Sequence, residues 1–256
     1  MTAQLANDFN NLSHAGRTDG VPLGKQPATG IYRNSAAKRG IPIFEKFCRV
    51  AAGTKSQRLV IQQLRNGERI TAIETPTGER LNAEHIVLAG GAWTPDLTRQ
   101  LGLRIPMQGG KGYSLTLRNP AELPHLCSLL HEARVAVTPM GGKLRVGGTM
   151  EICGTDLSVN PKRLQGIIEG FCKFFPAFAP DDFAGIKPWS GLRPCTPDGL
   201  PCIGPIPGLA NATVATGHSM LGLSLAPVTG QLIVDEITGR NPMLDIELPK
   251  IAPERF

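Results

Sequence analysis

The clearest periodicity in the chain lies at 161–175. There Leu164, Ile167, Ile168, Phe171, Phe174 and Phe175 recur at i, i+3, i+4 and i+7. The spacing predicts a helix with one buried face, and the stripe reads as core rather than as the lining of a cofactor site. Pro161 fits the first helical position, Asn160 can cap the free N–H groups, and Pro176 ends the run. A second helix is predicted over 223–238, entered from a strand at 212–216 through a turn bounded by Gly217 and Gly222. Pro95 to Leu101 reads as a short helix, and Ile41, Ile43, Phe44 and Phe47 stand near helical spacing within 36–48.

Shorter apolar runs predict strands. Residues 58–65 and 69–75 flank Asn66-Gly67, a two-residue hairpin signal, and Thr77-Gly78 marks a further turn. His85 to Ala89 reads as a short buried strand that ends in Gly90 and Gly91. Leu115 to Leu117, Arg134 to Thr138 and Lys143 to Val146 read as strands, with Gly141-Gly142 turning between the last two, and 186–193 returns as another. Residues 1–40 are rich in Asn, Gly, Ser, Lys and Arg and read as a loop-like, poorly ordered lead-in.

Composition narrows the class. A chain of 256 residues with 41% hydrophobic and 19% charged residues builds a globular core. The net charge of +6 suits an anionic ligand. The basic residues are scattered and only two tyrosines interleave them, which argues against nucleic acid. No apolar run approaches the ~20 residues that span a bilayer, and the start carries no signal-peptide pattern. A cytoplasmic location is the default expectation. The six cysteines form no Cys-x-x-Cys pair and have no histidine at ligand spacing, so free thiols and no metal are expected.

The candidate chemistry centres on 189–204, Trp-Ser-Gly-Leu-Arg-Pro-Cys-Thr-Pro-Asp-Gly-Leu-Pro-Cys-Ile-Gly. Prolines and glycines stiffen the backbone around Arg193. A fixed guanidinium clamps a carboxylate through two parallel hydrogen bonds. The alternative is a structural pair between Arg193 and Asp198. The turn at 213–224 opens a helix whose free N–H groups suit negative charge, but no Lys-Ser/Thr follows Gly222, which excludes a nucleoside-triphosphate loop.

Taken in order, Gly-Leu-Arg-Pro-x-Thr-Pro-Asp-Gly, Ile-Gly-Pro and Ala-Thr-Gly-His-x-Met-Leu-Gly-x-x-x-Ala-Pro resemble the C-terminal part of the D-amino acid oxidase superfamily. The resemblance is nearest to the D-amino acid dehydrogenase small-subunit type. Three more segments agree: Ile86 to Thr94, Lys111 to Thr116 and Arg145 to Glu151. The resemblance covers roughly 80–256. The superfamily's opening Gly-x-Gly-x-x-Gly is missing; Gly110 and Gly112 have the first spacing, but Leu115 stands where a third glycine belongs. The chain is therefore expected to be a fragment, a truncated gene product, or a subunit completed by another chain, with apolar faces that favour association.

The resemblance implies an α/β (mixed α+β) fold, an incomplete Rossmann-like FAD-binding domain carrying an inserted antiparallel-sheet substrate domain. The implied boundaries are a lead-in at 1–40, FAD-binding segments at 41–104 and 196–256, and a substrate-binding domain at 105–195. It implies FAD as cofactor, contacted by Ala89, Gly90, Gly91 and Trp93 and by Gly217, His218, Met220, Leu221, Gly222 and Leu223. The implied activity is oxidative deamination of a D-amino acid by hydride transfer to flavin N5, with electrons passing to a quinone or carrier. Arg193 would clamp the substrate carboxylate, with Tyr113 and Lys111 as further substrate contacts and Arg193, Tyr113 and His218 as the catalytic set. Oxidation of glycine, sarcosine, proline or hydroxyproline is the neighbouring reading, and a non-catalytic fragment or partner subunit without its own FAD is the other. The resemblance also leaves open peripheral attachment to the inner membrane.

Overall fold

The computed structural model describes residues 58–256 apart from 65–66, 75–77, 79 and 243–245. The expected lead-in at 1–40 and the helical spacing at 36–48 lie outside the described residues. What is described is a mixed α/β structure built largely from antiparallel sheets. Strands β1 (Arg58–Leu64), β2 (Gly67–Glu74) and β3 (Arg80–Asn82) form an antiparallel meander. β2 begins at Gly67, two residues earlier than its pattern suggests, because Gly67 pairs with Leu64.

A second sheet joins distant segments. β4 (Ile86–Leu88) runs parallel to β11 (Ala212–Thr216), which pairs antiparallel with β10 (Cys202–Pro205). β4 feeds α1 (Thr94–Thr98), and β11 feeds α3 (Gly222–Thr238). Ile86, Leu88, Ile105, Met107, Cys202, Ile206 and Val214 form the core on this sheet. One buried side chain pins the meander to it. Asn211 Nδ2 donates to Ile70 O at 2.8 Å and Glu84 O at 3.0 Å, while its Oδ1 accepts from Ile70 N at 2.9 Å. Every polar valence that faces the interior is thereby met.

The largest sheet spans five antiparallel strands in the order β6-β7-β8-β5-β9. These are β5 (Gln108–Leu117), β6 (Ser128–Leu130), β7 (Val135–Met140), β8 (Lys143–Ile152) and β9 (Trp189–Cys195). Helix α2 (Pro161–Phe174) covers one face. Asn160 caps it through Oδ1, which accepts from Lys162 N at 3.0 Å and Arg163 N at 3.4 Å. Its predicted stripe is only partly buried: Ile167, Ile168 and Phe171 enter the core, whereas Phe174 is exposed. Phe171 meets the rings of Phe175, Phe178 and Phe183 at 4.8, 5.1 and 5.7 Å.

Strand alternation divides β5 between two environments. Tyr113, Leu115 and Leu117 join the α2-side core, so Gly110, Gly112, Ser114 and Thr116 look the other way. β8 carries a bulge opposite this stretch: Lys111 pairs with Glu151, but Tyr113 pairs with Gly148. The extra residue is absorbed near Thr149, whose φ of 72° is costly for a β-branched residue.

Candidate functional site

Adjacent parallel strands β4 and β11 end side by side, and each runs into a glycine turn. After β4 come Ala89, Gly90 and a single 3-10 turn over Gly91–Trp93. After β11 come Gly217, His218, Ser219, Met220 and Leu221. Gly91 has φ +56° and Gly217 φ +82°, so both backbones need glycine. Thr216 locks the turns together: its Oγ1 donates to Gly91 O at 3.1 Å and accepts from Thr94 Oγ1 at 3.3 Å. The carboxyl ends of parallel strands are where open α/β sheets receive ligands.

The start of α3 has no side-chain cap. Leu221 N donates to His218 O at 2.9 Å, which leaves the first N–H groups of the helix, beginning at Gly222, without intrahelical acceptors. They carry the positive end of the helix dipole. Beside them Met220, Leu221 and Leu223 are all exposed, 71% in the case of Met220. A polar donor set thus sits against an uncovered apolar patch.

β9 brings the arginine to this turn. Ser219 N donates to Pro194 O at 2.9 Å, and the Cys195 and His218 backbones bridge. The Arg193 guanidinium lies over Gly112, where an added Cβ would collide with Nη1 and approach Nη2 to 2.7 Å and Cζ to 2.9 Å. Nη1 makes long contacts, 3.4 Å each, to Gly110 O and Thr149 O. No carboxylate among the described residues reaches it within 4.0 Å. The alternative pairing with Asp198 is therefore corrected. Asp198 takes Arg255 instead, through Nε at 2.8 Å and Nη2 at 3.0 Å, and this pair draws its carboxyl pKa down to about 2.

Lys111 and Tyr113 occupy the opposite face of β5 from Arg193. Lys111 is 1% exposed, and its Nζ donates to Asp156 Oδ2 at 2.7 Å. Burial is the largest single influence and pushes its ammonium pKa down, but Asp156, Cys153, Tyr113 and Glu151 together outweigh it, and the net pKa is raised. The Tyr113 hydroxyl donates to Glu151 Oε2 at 2.6 Å and accepts from Asn160 N at 3.3 Å. Burial first, then Glu151, raises its pKa. Tyr113 ties β5 to β8 and to the cap of α2, and Lys111 ties β5 to the loop between them. His218 Nε2 lies 2.8 Å from Thr229 Oγ1, one side of a clasp between the turn and α3, and burial lowers its pKa.

Two residues of the Arg193 face were not among the expected site residues. Trp189, Gly191 and Arg193 alternate along β9, and the Trp189 ring lies over Gly191. Arg145 on β8 holds its guanidinium 5.7 Å from the Trp189 ring centroid. The i, i+2, i+4 spacing of Trp189, Gly191 and Arg193 carried the signal for the first; the second depends on strand pairing that local spacing does not encode.

The cysteines at 127, 153, 172, 195 and 202 are free thiols. Among the described residues no cluster of three metal-ligating side chains occurs, and no helix is long and apolar enough to cross a membrane. A cleft of about 390 Å³ lies between β10, the end of α3 from Leu232 onward with Arg240 beyond it, and the C-terminal tail. It sits ~15 Å along α3 from the helix start, away from Arg193.

Residues 32–236 match the family model of the DAO FAD dependent oxidoreductases. A D-amino acid dehydrogenase of Methylobacterium sp. (strain 4-46) is 40% identical over 176 residues, 68% of this chain and 41% of the relative. A glycine oxidase of Pseudomonas aeruginosa is 33% identical over 183 residues, 71% of this chain and 49% of the relative. The chain thus spans less than half the length of these two relatives. The crystal structure of glycine oxidase from Geobacillus kaustophilus superposes with a TM-score of 0.63 at 26% identity, covering 78% of this chain and 52% of that one. With a family model matched across most of its length, the chain belongs to the DAO family of FAD dependent oxidoreductases.

Proposed function

We propose that the chain carries the amino-acid-binding half of a D-amino acid dehydrogenase-like enzyme, with Arg193 as the clamp for the substrate carboxylate. The observation that carries the reading is Arg193 itself. It is a guanidinium without a carboxylate partner among the described residues, seated over Gly112 and hydrogen-bonded through its strand to the turn that opens α3. An unpaired, partly buried cation is costly unless a ligand completes it.

The residues present fit an FAD. Ala89 to Trp93 and Gly217 to Leu223 would hold it: two glycine turns at neighbouring strand ends, free N–H groups at the start of α3, and the uncovered Met220, Leu221 and Leu223. FAD, when bound, supplies the acceptor for the hydride removed from the substrate. Arg193 orients the substrate, and orientation contributes several kcal/mol, about 7 or more when alignment is good. The α3 N–H groups stabilise negative charge that develops beside them. The division at 105–195, containing the five-stranded sheet, serves as the substrate-binding part. An amino acid is the substrate class, and a quinone or protein carrier is the proposed acceptor. Lys111, Tyr113 and His218 act in this proposal by supporting the sheet and turn.

Oxidation of glycine, sarcosine, proline or hydroxyproline is the second reading, and the glycine oxidases named above support glycine. Replacing Arg193 tests the clamp. In the FAD-bound assembly, Arg193→Ala raises the substrate KM strongly and leaves flavin content intact, while Arg193→Lys rescues in part because lysine lacks the bidentate fork. An unchanged KM across the amino acids turned over would refute the clamp.

A further inference from the structure

The Arg193 face holds a second cation with no anionic partner among the described residues. Arg145 projects from β8 opposite Thr116 and Thr138, neither of them acidic. Its guanidinium makes no hydrogen bond or ion pair among the described residues, and its Nε is buried without an acceptor. It faces the Trp189 ring instead, 5.7 Å from the centroid. Beside it Ser114 Oγ, on a residue 8% exposed, is also buried without a partner. Native interiors leave few such atoms unmatched. Both fall on the face that carries the clamp.

Strand register orders these groups. Arg193 pairs with Gly110 and lays its guanidinium over Gly112; Trp189 pairs with Ser114; Arg145 pairs with Thr116. Trp189 therefore stands between the two arginines, 51% exposed and with its ring over Gly191. From Gly112 to Thr116 is four residues of strand, ~13 Å, and Arg145 reaches back over the indole, which shortens the gap. The floor is glycine at 110, 112 and 191, and these glycines let Met150, Cys195, Arg193 and Trp189 lie close against the sheet.

We propose that Arg145 and Trp189 form a distal subsite for a side-chain carboxylate, so that the preferred substrates are dicarboxylic amino acids. The α-carboxylate sits on Arg193, the methylenes lie along the Trp189 indole, and the second carboxylate sits on Arg145. A single carboxylate cannot satisfy both cations across this span. The inference rests on Arg193 being the carboxylate clamp.

The test is binding without turnover. The full chain is titrated with glutarate and with butyrate while tryptophan fluorescence is followed; Trp189 is one of two tryptophans. Glutarate binds about tenfold more tightly than butyrate, the worth of one added charge-assisted contact. Arg145→Met brings glutarate to the level of butyrate and leaves butyrate unchanged, and Arg145→Lys keeps part of the preference. Lys173→Met, which removes the same charge from α2 on the other side of the sheet, keeps all of it. A glutarate preference that survives Arg145→Met overturns the subsite. Equal binding of the two acids, weakened alike by Arg193→Ala, overturns the subsite and leaves the clamp standing. Binding of neither acid, or binding indifferent to Arg193→Ala, overturns both.

Discussion

Gly112→Ala isolates the geometry of the clamp from its chemistry. The new Cβ would collide with Arg193 Nη1, with Nη2 at 2.7 Å and Cζ at 2.9 Å. Its φ lies outside the left-handed region, so alanine is tolerated by the backbone. The atoms that must move are the far end of a flexible side chain whose hydrogen bonds are already long. Folding stability therefore changes little: removing a glycine stabilises by about 0.4–1 kcal/mol through the unfolded chain, which offsets a shift of similar size. Carboxylate binding changes much more. Displacing the fork loses hydrogen bonds between charged groups, about 1.5–3 kcal/mol, or roughly 10- to 150-fold in affinity. The assay measures KM for the amino acid substrate in the FAD-bound assembly and Tm on the same preparation. The expected result is a KM raised at least tenfold with Tm nearly unchanged. The double variant Gly112→Ala/Arg193→Ala should be no worse than Arg193→Ala alone, because both act on one interaction. An unchanged KM, or additive losses in the double variant, would refute the placement of the guanidinium.

Two further outcomes follow from ionisation. Asp198 is held to about 2 by Arg255, so the pair contributes stability above the unfolded carboxyl value of about 4. That stability is lost as pH falls to about 2, and Asp198→Asn should flatten this acid limb by about 1 kcal/mol once solvent screening at a carboxylate 35% exposed is allowed for, read from Tm against pH. His218 has its pKa lowered by burial, so just below the ordinary histidine value the unfolded chain binds more protons. Stability should therefore fall on acidification through about pH 6.5, and His218→Gln should reduce that fall without abolishing it, because burial and Arg69 lower His85 in the same direction. A Tm profile indifferent to the His218 replacement would contradict the buried, neutral role.

Elements with their own start signals and apolar patterns were legible in the sequence. α2 began where Asn160 and Pro161 said it would, and β11 covered 212–216 as its run of apolar residues implied. The glycine-bounded turn correctly marked the start of α3, within one residue. β5 was harder. Its first half contains Gly109, Gly110 and Gly112, which lower strand propensity, and only the pairing of both edges with β8 and β9 holds it extended. Those glycines have a use that propensity does not register, since Gly112 makes room for Arg193 and Gly110 for Met150 and Cys195. β9 runs from 189 to 195 rather than from 186 to 193, because Gln108 to Ser114 supplies its partners. Of the site, Arg193 was visible from its stiff local sequence. The partner of Asp198 was not, for Arg255 lies 57 residues away. The orientation of Lys111 and Tyr113 depends on which face α2 covers. Arg145 meets Trp189 only through the sheet.

The most direct measurement is an anaerobic absorbance spectrum of the purified, desalted protein supplied with FAD, before and after a D-amino acid is added, for the native sequence and for Arg193→Ala. The account predicts flavin bands in both, bleaching in the first, and bleaching in the second only at much higher amino acid concentration. Equal bleaching in the two would contradict the assignment of Arg193, and flavin bands that FAD fails to produce would contradict the cofactor site at the ends of β4 and β11.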